Sequence, residues 1–143
     1  MKASDISVLD IPMNKLIGLE NSDRAPYVFK VPLRHEVLNH LGQFHAGSIF
    51  SLAESTSGQF LLNNFGKRDA DIIPVIRRAE VKYSKPGTTD LYSRADLVTS
   101  SMKEIEEALD KRGKALVKVR AEVCNEMDEK IMVAIFEWFV TMR

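Results

Sequence analysis

The chain has 143 residues, 45% of them apolar and 28% charged, and this length and composition are typical of a single globular domain with a sizeable core. Its 20 basic and 20 acidic side chains give a formal net charge of zero, so no overall field favours nucleic acid or an anionic membrane as a partner. Cys124 is the one cysteine, which excludes a disulfide framework and a metal site built from several cysteines.

The N-terminal segment predicts a loosely packed arm over residues 1–24 that contains a short helix. Proline is favoured in the first helical turn, and Pro12 follows Asp10 at a possible helix start. The first residues lack the apolar run of a signal peptide, and no segment approaches membrane-spanning length. We therefore expect a cytoplasmic protein that does not enter a membrane.

Residues 25–143 are expected to form one domain that begins with a strand and a long helix. The segment 27–33 is rich in β-forming residues, and residues 34–45 have the character of a loop. The apolar run that follows predicts a helix over about 46–64, with Gly66 at the position of a C-terminal stop.

The pattern then changes from a helical period to a period of two, which predicts strands. Val75, Ala79 and Val81 are expected to share one face of a strand that ends before Pro86. Three further strands are expected, over 91–98, 115–123 and 131–141. The strand over 115–123 alternates most cleanly, with apolar residues at every second position from Ala115.

A short helix interrupts the run of strands. Ser100 and Ser101 offer N-capping hydroxyls, and Gly113 offers a stop. The last strand is apolar on both faces apart from Glu137, so we expect it to be covered on both faces.

The order of these elements predicts an α+β fold in which one apolar helix packs on a largely antiparallel sheet. A helix that is apolar nearly all round cannot be covered by one small sheet. We therefore expect an oligomer of identical subunits, either a dimer or a dimer of dimers.

A motif that carries chemistry begins at Asn39 and ends at Glu54. Ala46 and Gly47 open the long helix and leave its first N–H groups accessible. Such a helix start has unsatisfied donors and a partial positive charge, so it can hold an oxyanion. Glu54 follows among apolar neighbours, where an ionised carboxylate is costly unless it has a partner or a task. Oxyanion donors and a desolvated carboxylate are the groups that acyl-transfer hydrolysis needs.

The spacing of Asn39, His45-Ala46-Gly47 and Leu52-Ala53-Glu54 resembles the motif of hotdog-fold thioesterases, most of all the phenylacetyl-CoA thioesterase type. Two further segments, 82–86 and 112–115, are similar to an uncharacterised thioesterase-like branch. The resemblance covers about residues 25–143 and implies a hotdog fold, a long central helix wrapped by a curved antiparallel sheet. It also implies hydrolysis of an acyl-CoA-type thioester to a carboxylic acid and a free thiol.

Two positions depart from the family pattern. Ala46 replaces the first of two glycines, and because the resemblance assigns the oxyanion role to the backbone N–H, alanine can serve there without a positive φ. Gly58, four residues after Glu54, stands where some relatives carry a hydroxyl residue that assists the carboxylate. Ser55 and Ser57 are candidates to replace that hydroxyl, although neither lies one helical turn further on.

Each candidate residue has a structural alternative. Glu54 acts as a general base on water or as a nucleophile that forms a transient mixed anhydride; alternatively it lies at the surface or in an ion pair between subunits. Asn39 orients water or the thioester carbonyl, or it shapes a turn through its own backbone. His45 takes part in catalysis, or it steadies the loop before the helix. Ala46 and Gly47 are the expected oxyanion donors.

Four basic residues lie along and just after one strand: Arg77, Arg78, Lys82 and Lys85. They either contact the phosphates of coenzyme A or form a solvated face. Coenzyme A enters as part of the substrate, and we expect no separate cofactor and no metal. His35, His40 and His45 recur every five residues, but they share no face of a regular element. Cys124 has no visible base nearby and is expected to be inert.

The expected partner is therefore an acyl-CoA or an acyl-carrier thioester. Two other functions fit the same fold: a hydratase or dehydratase acting on enoyl or 3-hydroxyacyl thioesters, and a domain that binds acyl thioesters without catalysis. Ala46 and Glu54 are separated by about 12 Å along the helix and about 80° around it. Because a reacting carbon needs both groups at about 3 Å, we expect each site to combine residues of two subunits.

Overall fold

The computed structural model describes residues 7–65, 71–98 and 101–143. The helices are α1 (Pro12–Ile17), α2 (Ala46–Phe65) and α3 (Met102–Arg112), and short 3₁₀ turns occupy Val8–Asp10 and His35–Val37. The strands are β1 (Glu20–Asn21), β2 (Phe29–Val31), β3 (Ile72–Tyr83), β4 (Leu91–Leu97), β5 (Lys114–Cys124) and β6 (Lys130–Met142). Gly66 and Ser100, a predicted helix stop and a predicted cap, lie outside the described residues.

The six strands form one antiparallel sheet in the order β1-β2-β4-β5-β6-β3. Helix α2 lies against one face of this sheet and contacts mainly β4 and β5. This confirms the predicted α+β fold, a long helix packed on a curved antiparallel sheet. Strand β3 is at one edge, and its outer side pairs with no other strand in the described part of the chain.

The core lies between α2 and the inner face of the sheet. The alternation predicted for β5 is confirmed, because Val117, Val119 and Ala121 are fully buried. Leu52 and Leu61 of α2 are fully buried as well. A continuous apolar layer thus fixes the long helix on the sheet.

Strand β3 contains an irregularity that its hydrophobic pattern did not reveal. Its register with β6 shifts between Ile76 and Arg78, so that Arg77 is an extra residue in the strand. Residues before the bulge therefore exchange faces: Val75 is 55% exposed, whereas Ile76 packs against the core. The prediction that Val75 shares a face with Ala79 is wrong, because a strict period of two does not anticipate an inserted residue.

The N-terminal arm is packed more firmly than its sequence indicated. Helix α1 starts at Pro12, as predicted, and ends at Gly18 with a left-handed φ of 77°. Asn14 is buried; its Nδ2 donates to the carbonyl oxygen of Val8 at 2.9 Å, and its Oδ1 accepts from the Ser55 hydroxyl at 2.8 Å. A buried hydrogen-bonded pair thus ties the arm to α2.

The two ends of α3 agree with the predicted capping residues. The Ser101 hydroxyl accepts from the Glu104 N–H at 3.1 Å, and Gly113 takes the left-handed conformation with φ 69°. In strand β6 the inner face is buried, whereas outer residues such as Ile135 and Phe139 are only half-buried. The prediction that β6 is covered on both faces therefore holds only in part within one chain.

Candidate active site

The loop before α2 is shaped by Asn39. Its side-chain oxygen accepts from the Leu41 N–H at 2.8 Å and from the Gln43 N–H at 3.1 Å. The loop turns at Gly42, whose φ of 72° is in the left-handed region that glycine adopts without strain. The Asn39 oxygen thus has the structural role, while its NH₂ group donates to no residue that the structure describes.

His45 caps the start of α2. Its Nδ1 accepts a hydrogen bond from the Gly47 N–H at 2.8 Å. A Cβ at position 47 would lie 3.0 Å from this nitrogen, so a larger residue there would require the imidazole to shift. Of the two alternatives for His45, the structure shows the steadying contact. It also shows that the Gly47 N–H already has an acceptor.

Ala46 is the first residue of α2, and its two backbone groups differ. Its N–H donates to no residue in the described ranges, while its carbonyl oxygen accepts from the Tyr83 hydroxyl at 3.0 Å. Two backbone hydrogen bonds just before Ala46 also hold the helix start. The Phe44 N–H donates to the Gly87 carbonyl at 2.9 Å, and the His45 N–H donates to the Val37 carbonyl at 2.8 Å. The open donor therefore sits on a well-anchored helix start.

Tyr83 is a site residue that sequence reasoning missed. It ends β3, and burial raises the pKa of its hydroxyl, which therefore stays protonated and able to donate. In the sequence, Tyr83 lies near the end of a predicted strand, within the segment 82–86 that is similar to the thioesterase-like branch. Nothing in that pattern indicated a contact with the helix start.

A groove of about 380 Å³ lies beside the helix start. It brings together Asn39, Ala46, Ile49, Tyr83 and Lys85, with the other lining residues Gln43, Phe44, Ser84, Pro86 and Gly87. Asn39 and Ala46, predicted from separate positions in the motif, thus share one groove. Glu54 is not among its lining residues.

Glu54 lies in the middle of α2 and is half-buried. Burial raises the pKa of its carboxyl group. No hydrogen bond or ion pair reaches the carboxylate from the described residues, so its desolvation is not offset within the chain. The helical rise separates it from Ala46 by about 12 Å, so one chain does not bring the donor and the carboxylate to the same point.

The hydroxyl groups near Glu54 are engaged elsewhere. Ser57 accepts from the Trp138 indole N–H at 3.1 Å and donates to the Glu54 carbonyl oxygen at 2.8 Å. Ser55 donates to Asn14. Gly58 lies under the Trp138 ring, which a Cβ there would approach at 3.5 Å. Neither serine is therefore aimed at the Glu54 carboxylate, and the helix presents no hydroxyl in place of Gly58.

The four basic residues of the predicted substrate site do not converge. Arg77 lies over the Phe139 ring at 5.1 Å and Arg78 pairs with Glu80 at 3.3 Å, both on the outer face of the sheet. Lys85 lines the groove and pairs with Glu129, and Lys82 is exposed on β3. Only Lys85 is thus at the groove.

The histidines considered as metal ligands, His35 and His40, and Cys124 are not among the residues that line the groove. Within residues 7–65, 71–98 and 101–143 no three histidine, cysteine or acidic side chains are grouped to hold a metal ion. Cys124 is buried, and burial raises the pKa of its thiol. No helix in the described part of the chain is long and apolar enough to cross a membrane.

The family is decided by a match over most of the chain. Residues 21–140 match the model of a family described as a domain of unknown function, DUF4442. The chain belongs to this family. No curated protein matches it.

Solved structures with the same fold come from several bacteria. A protein of unknown function from Pseudomonas aeruginosa, described as a probable thioesterase, is 22% identical with a TM-score of 0.80, over 95% of this chain and 91% of that one. A thioesterase from Haemophilus influenzae is 15% identical with a TM-score of 0.71, over 94% and 86%. A Bacillus halodurans protein solved with CoA is 20% identical with a TM-score of 0.66, over 90% and 74%. These likenesses confirm the hotdog fold.

Proposed function

We propose that this protein is a thioesterase that hydrolyses an acyl-CoA-type thioester to a carboxylic acid and a free thiol. The observation that carries the proposal is helix α2. It begins at a backbone donor and carries a desolvated carboxylate, and neither group has a hydrogen-bond partner among the described residues. Oriented donors and a carboxylate of raised pKa are features of acyl-transfer sites. The structural neighbours described as thioesterases support the same activity.

The groups would divide the reaction as follows. The Ala46 N–H donates to the thioester carbonyl oxygen and stabilises the negative charge that develops on it. The NH₂ group of Asn39, which donates to no described residue, would orient the carbonyl or the water in the same groove. Glu54 takes a proton from water as the oxygen attacks, or attacks the carbonyl itself. The carbon–sulfur bond then breaks and the thiolate takes up a proton. Where Glu54 itself attacks, water must then hydrolyse the mixed anhydride, which releases the carboxylic acid and restores the Glu54 carboxylate.

We propose further that the site forms between two subunits. No described strand pairs with the outer edge of β3, which is 12 residues long. The half-buried face of α2 carries Phe50, Glu54 and Leu62 around the small Gly58. Two such helices packed antiparallel across a two-fold axis would each bring their Glu54 towards the start of the other. This arrangement would also cover apolar surface that one chain leaves half-exposed.

Coenzyme A is the proposed carrier of the acyl group, with an acyl carrier protein as the alternative. A structural neighbour solved with CoA supports the first. Lys85 lines the groove and would contact a phosphate of coenzyme A there. Arg77, Arg78 and Lys82 do not line the groove, so they would contact a phosphate only outside it. Lys85 is therefore the substrate contact that the geometry favours most.

The test is thiol release from a panel of acyl-CoAs by the purified protein and its Glu54→Gln variant. We expect release by the wild type and a loss of at least about a hundredfold in the variant, because a general base or nucleophile typically contributes that much. Glu137→Gln, a half-buried glutamate on the outer face, is the matched control and should keep full activity.

Other outcomes identify the other functions. A hydratase would change the absorbance of an enoyl-CoA without releasing thiol, and a binding domain would do neither. Near-normal thiol release by Glu54→Gln would end the assignment of Glu54 to catalysis.

A further inference from the structure

A second cavity, of about 550 Å³, lies between α3 and the paired strands β5 and β6. It shares no lining residue with the groove at the start of α2. Its volume is within the range of small-molecule sites, roughly 300–1,000 Å³. Ala108, Leu116 and Phe139 give it an apolar wall. The cavity is therefore large enough and apolar enough to bury the body of a small ligand.

The charge around this cavity is positive. Arg77, Arg112 and Lys114 line it, and Glu104 is the one acidic side chain among its described lining residues. None of the three cations forms an ion pair with another residue that the structure describes. Arg94, by contrast, pairs with the buried Glu122 at 2.9 Å. The cavity thus combines an apolar wall with three cations that outnumber its acidic side chain and form no ion pair within the described residues.

The bulge in β3 aims Arg77 at this cavity. The extra residue places two consecutive arginines on the outer face of the sheet, and bulges often redirect a side chain in this way. Arg77 lies over the Phe139 ring, with its guanidinium carbon 5.1 Å from the ring centre. Arg78, by contrast, pairs with Glu80 and lines a separate cavity of about 140 Å³. Two adjacent arginines therefore have different surroundings.

We propose that this cavity binds an organic anion with an apolar body. The guanidinium of Arg77 presents a fork of donors that matches a carboxylate or a phosphate, and the body would lie against Leu116 and Phe139. This chemistry is shared by the free acids that thioester hydrolysis releases and by the nucleotide end of coenzyme A. The proposal does not depend on thioesterase activity, because it concerns binding at a separate place.

The test is a titration of the ¹⁵N-labelled full chain, followed by NMR. The ligands are 4-phenylbutyrate, its neutral amide, adenosine 3′,5′-bisphosphate and inorganic phosphate. We expect saturable shifts at Ala108 and Leu116 with an organic anion, and binding weaker by about tenfold for the amide, the effect of one charge-assisted hydrogen bond. Whether the acid or the bisphosphate binds tighter identifies the source of the ligand.

Matched variants locate the site. Arg77→Gln should weaken binding by about tenfold, whereas Arg78→Gln should leave it unchanged. Ala108→Phe should block binding by filling the cavity, with Arg77 still present. The proposal is overturned if no ligand gives saturable shifts, if the two arginine variants behave alike, or if the shifts are confined to the start of α2.

Discussion

The start and the middle of helix α2 are built in opposite ways. At the start, Asn39, His45 and Tyr83 each form a hydrogen bond that fixes the loop or the first helical turn. In the middle, Glu54 is half-buried and receives no hydrogen bond from the described residues. An oxyanion donor works best when its position is fixed in advance, whereas a carboxylate that must take up a proton is most effective when no partner holds it ionised.

The largest effect is expected at the fixed end of the helix. Ala46→Pro removes the open N–H and should lower thiol release by about a hundredfold to a thousandfold, the cost of one oxyanion donor. Proline is tolerated in the first helical turn, so the fold should persist. Ala46→Gly is the control, because it keeps the N–H and should keep most of the activity. A folded proline variant with normal turnover would show that no oxyanion is held there.

The helix that carries both groups, and the buried face of one strand beneath it, were predictable from local sequence. The apolar run from Ile49 and the small residues before it predicted a helix over about 46–64. Both limits are within one residue of those of the observed helix, Ala46–Phe65. The alternation in β5 predicted its buried face. Local patterns report on the chain's own periodicity, which β5 follows over the residues before its register shift between Val123 and Cys124.

What could not be predicted depends on contacts between distant segments. Tyr83 and Ala46 are 37 residues apart, and their hydrogen bond exists only because β3 ends beside the helix start. The bulge at Arg77 depends on the pairing with β6, and the bond between Ser55 and Asn14 depends on how the arm docks. Side-chain partners of this kind are set by tertiary packing, and a single sequence gives no direct signal about that packing.

The second prediction tests whether the donor at the start of α2 and the carboxylate in its middle come from different subunits in each site. Ala46→Pro and Glu54→Gln proteins, each inactive alone, are mixed, unfolded, refolded and assayed. If the site is shared, a mixed dimer has one intact site of two, so activity should approach about a quarter of the wild-type value under random assortment. Native mass spectrometry verifies that mixed dimers form. Mixed dimers without activity would mean that both groups act within one chain.

The third prediction concerns pH. Burial raises the pKa of Glu54, and either catalytic role requires the ionised form. The rate of thiol release should therefore rise about tenfold per pH unit up to a pKa that lies above the ordinary glutamate value of about 4.3. Glu54→Gln should lose this dependence in its residual activity. An unchanged acid limb in that variant would assign the titration to another group.

A smaller effect is expected at Tyr83. Tyr83→Phe removes one hydrogen bond to the Ala46 carbonyl, worth about 1 kcal/mol, and should lower kcat by about fivefold while the protein stays folded. Tyr27→Phe is the matched control, because it also removes a tyrosine hydrogen bond, the 2.7 Å bond to Asp128, away from the groove. If both variants retain full turnover, the fixed position of the helix start does not depend on Tyr83.

The smallest effect is on stability, and its sign follows from the raised pKa of Glu54. The folded chain holds this proton more tightly than the unfolded chain, so the free energy of unfolding falls as pH rises from the ordinary glutamate pKa to the raised value, and the loss persists above it. Glu54→Gln carries no charge and should be more stable than the wild type at pH 8, by a few degrees in Tm, but not at pH 4. Glu80→Gln, which removes an exposed carboxylate paired with Arg78, should show no such gain. A variant that is less stable at pH 8 would mean that Glu54 has a favourable partner in the assembled protein. The contrast between the start and the middle of the helix would then hold only for the single chain.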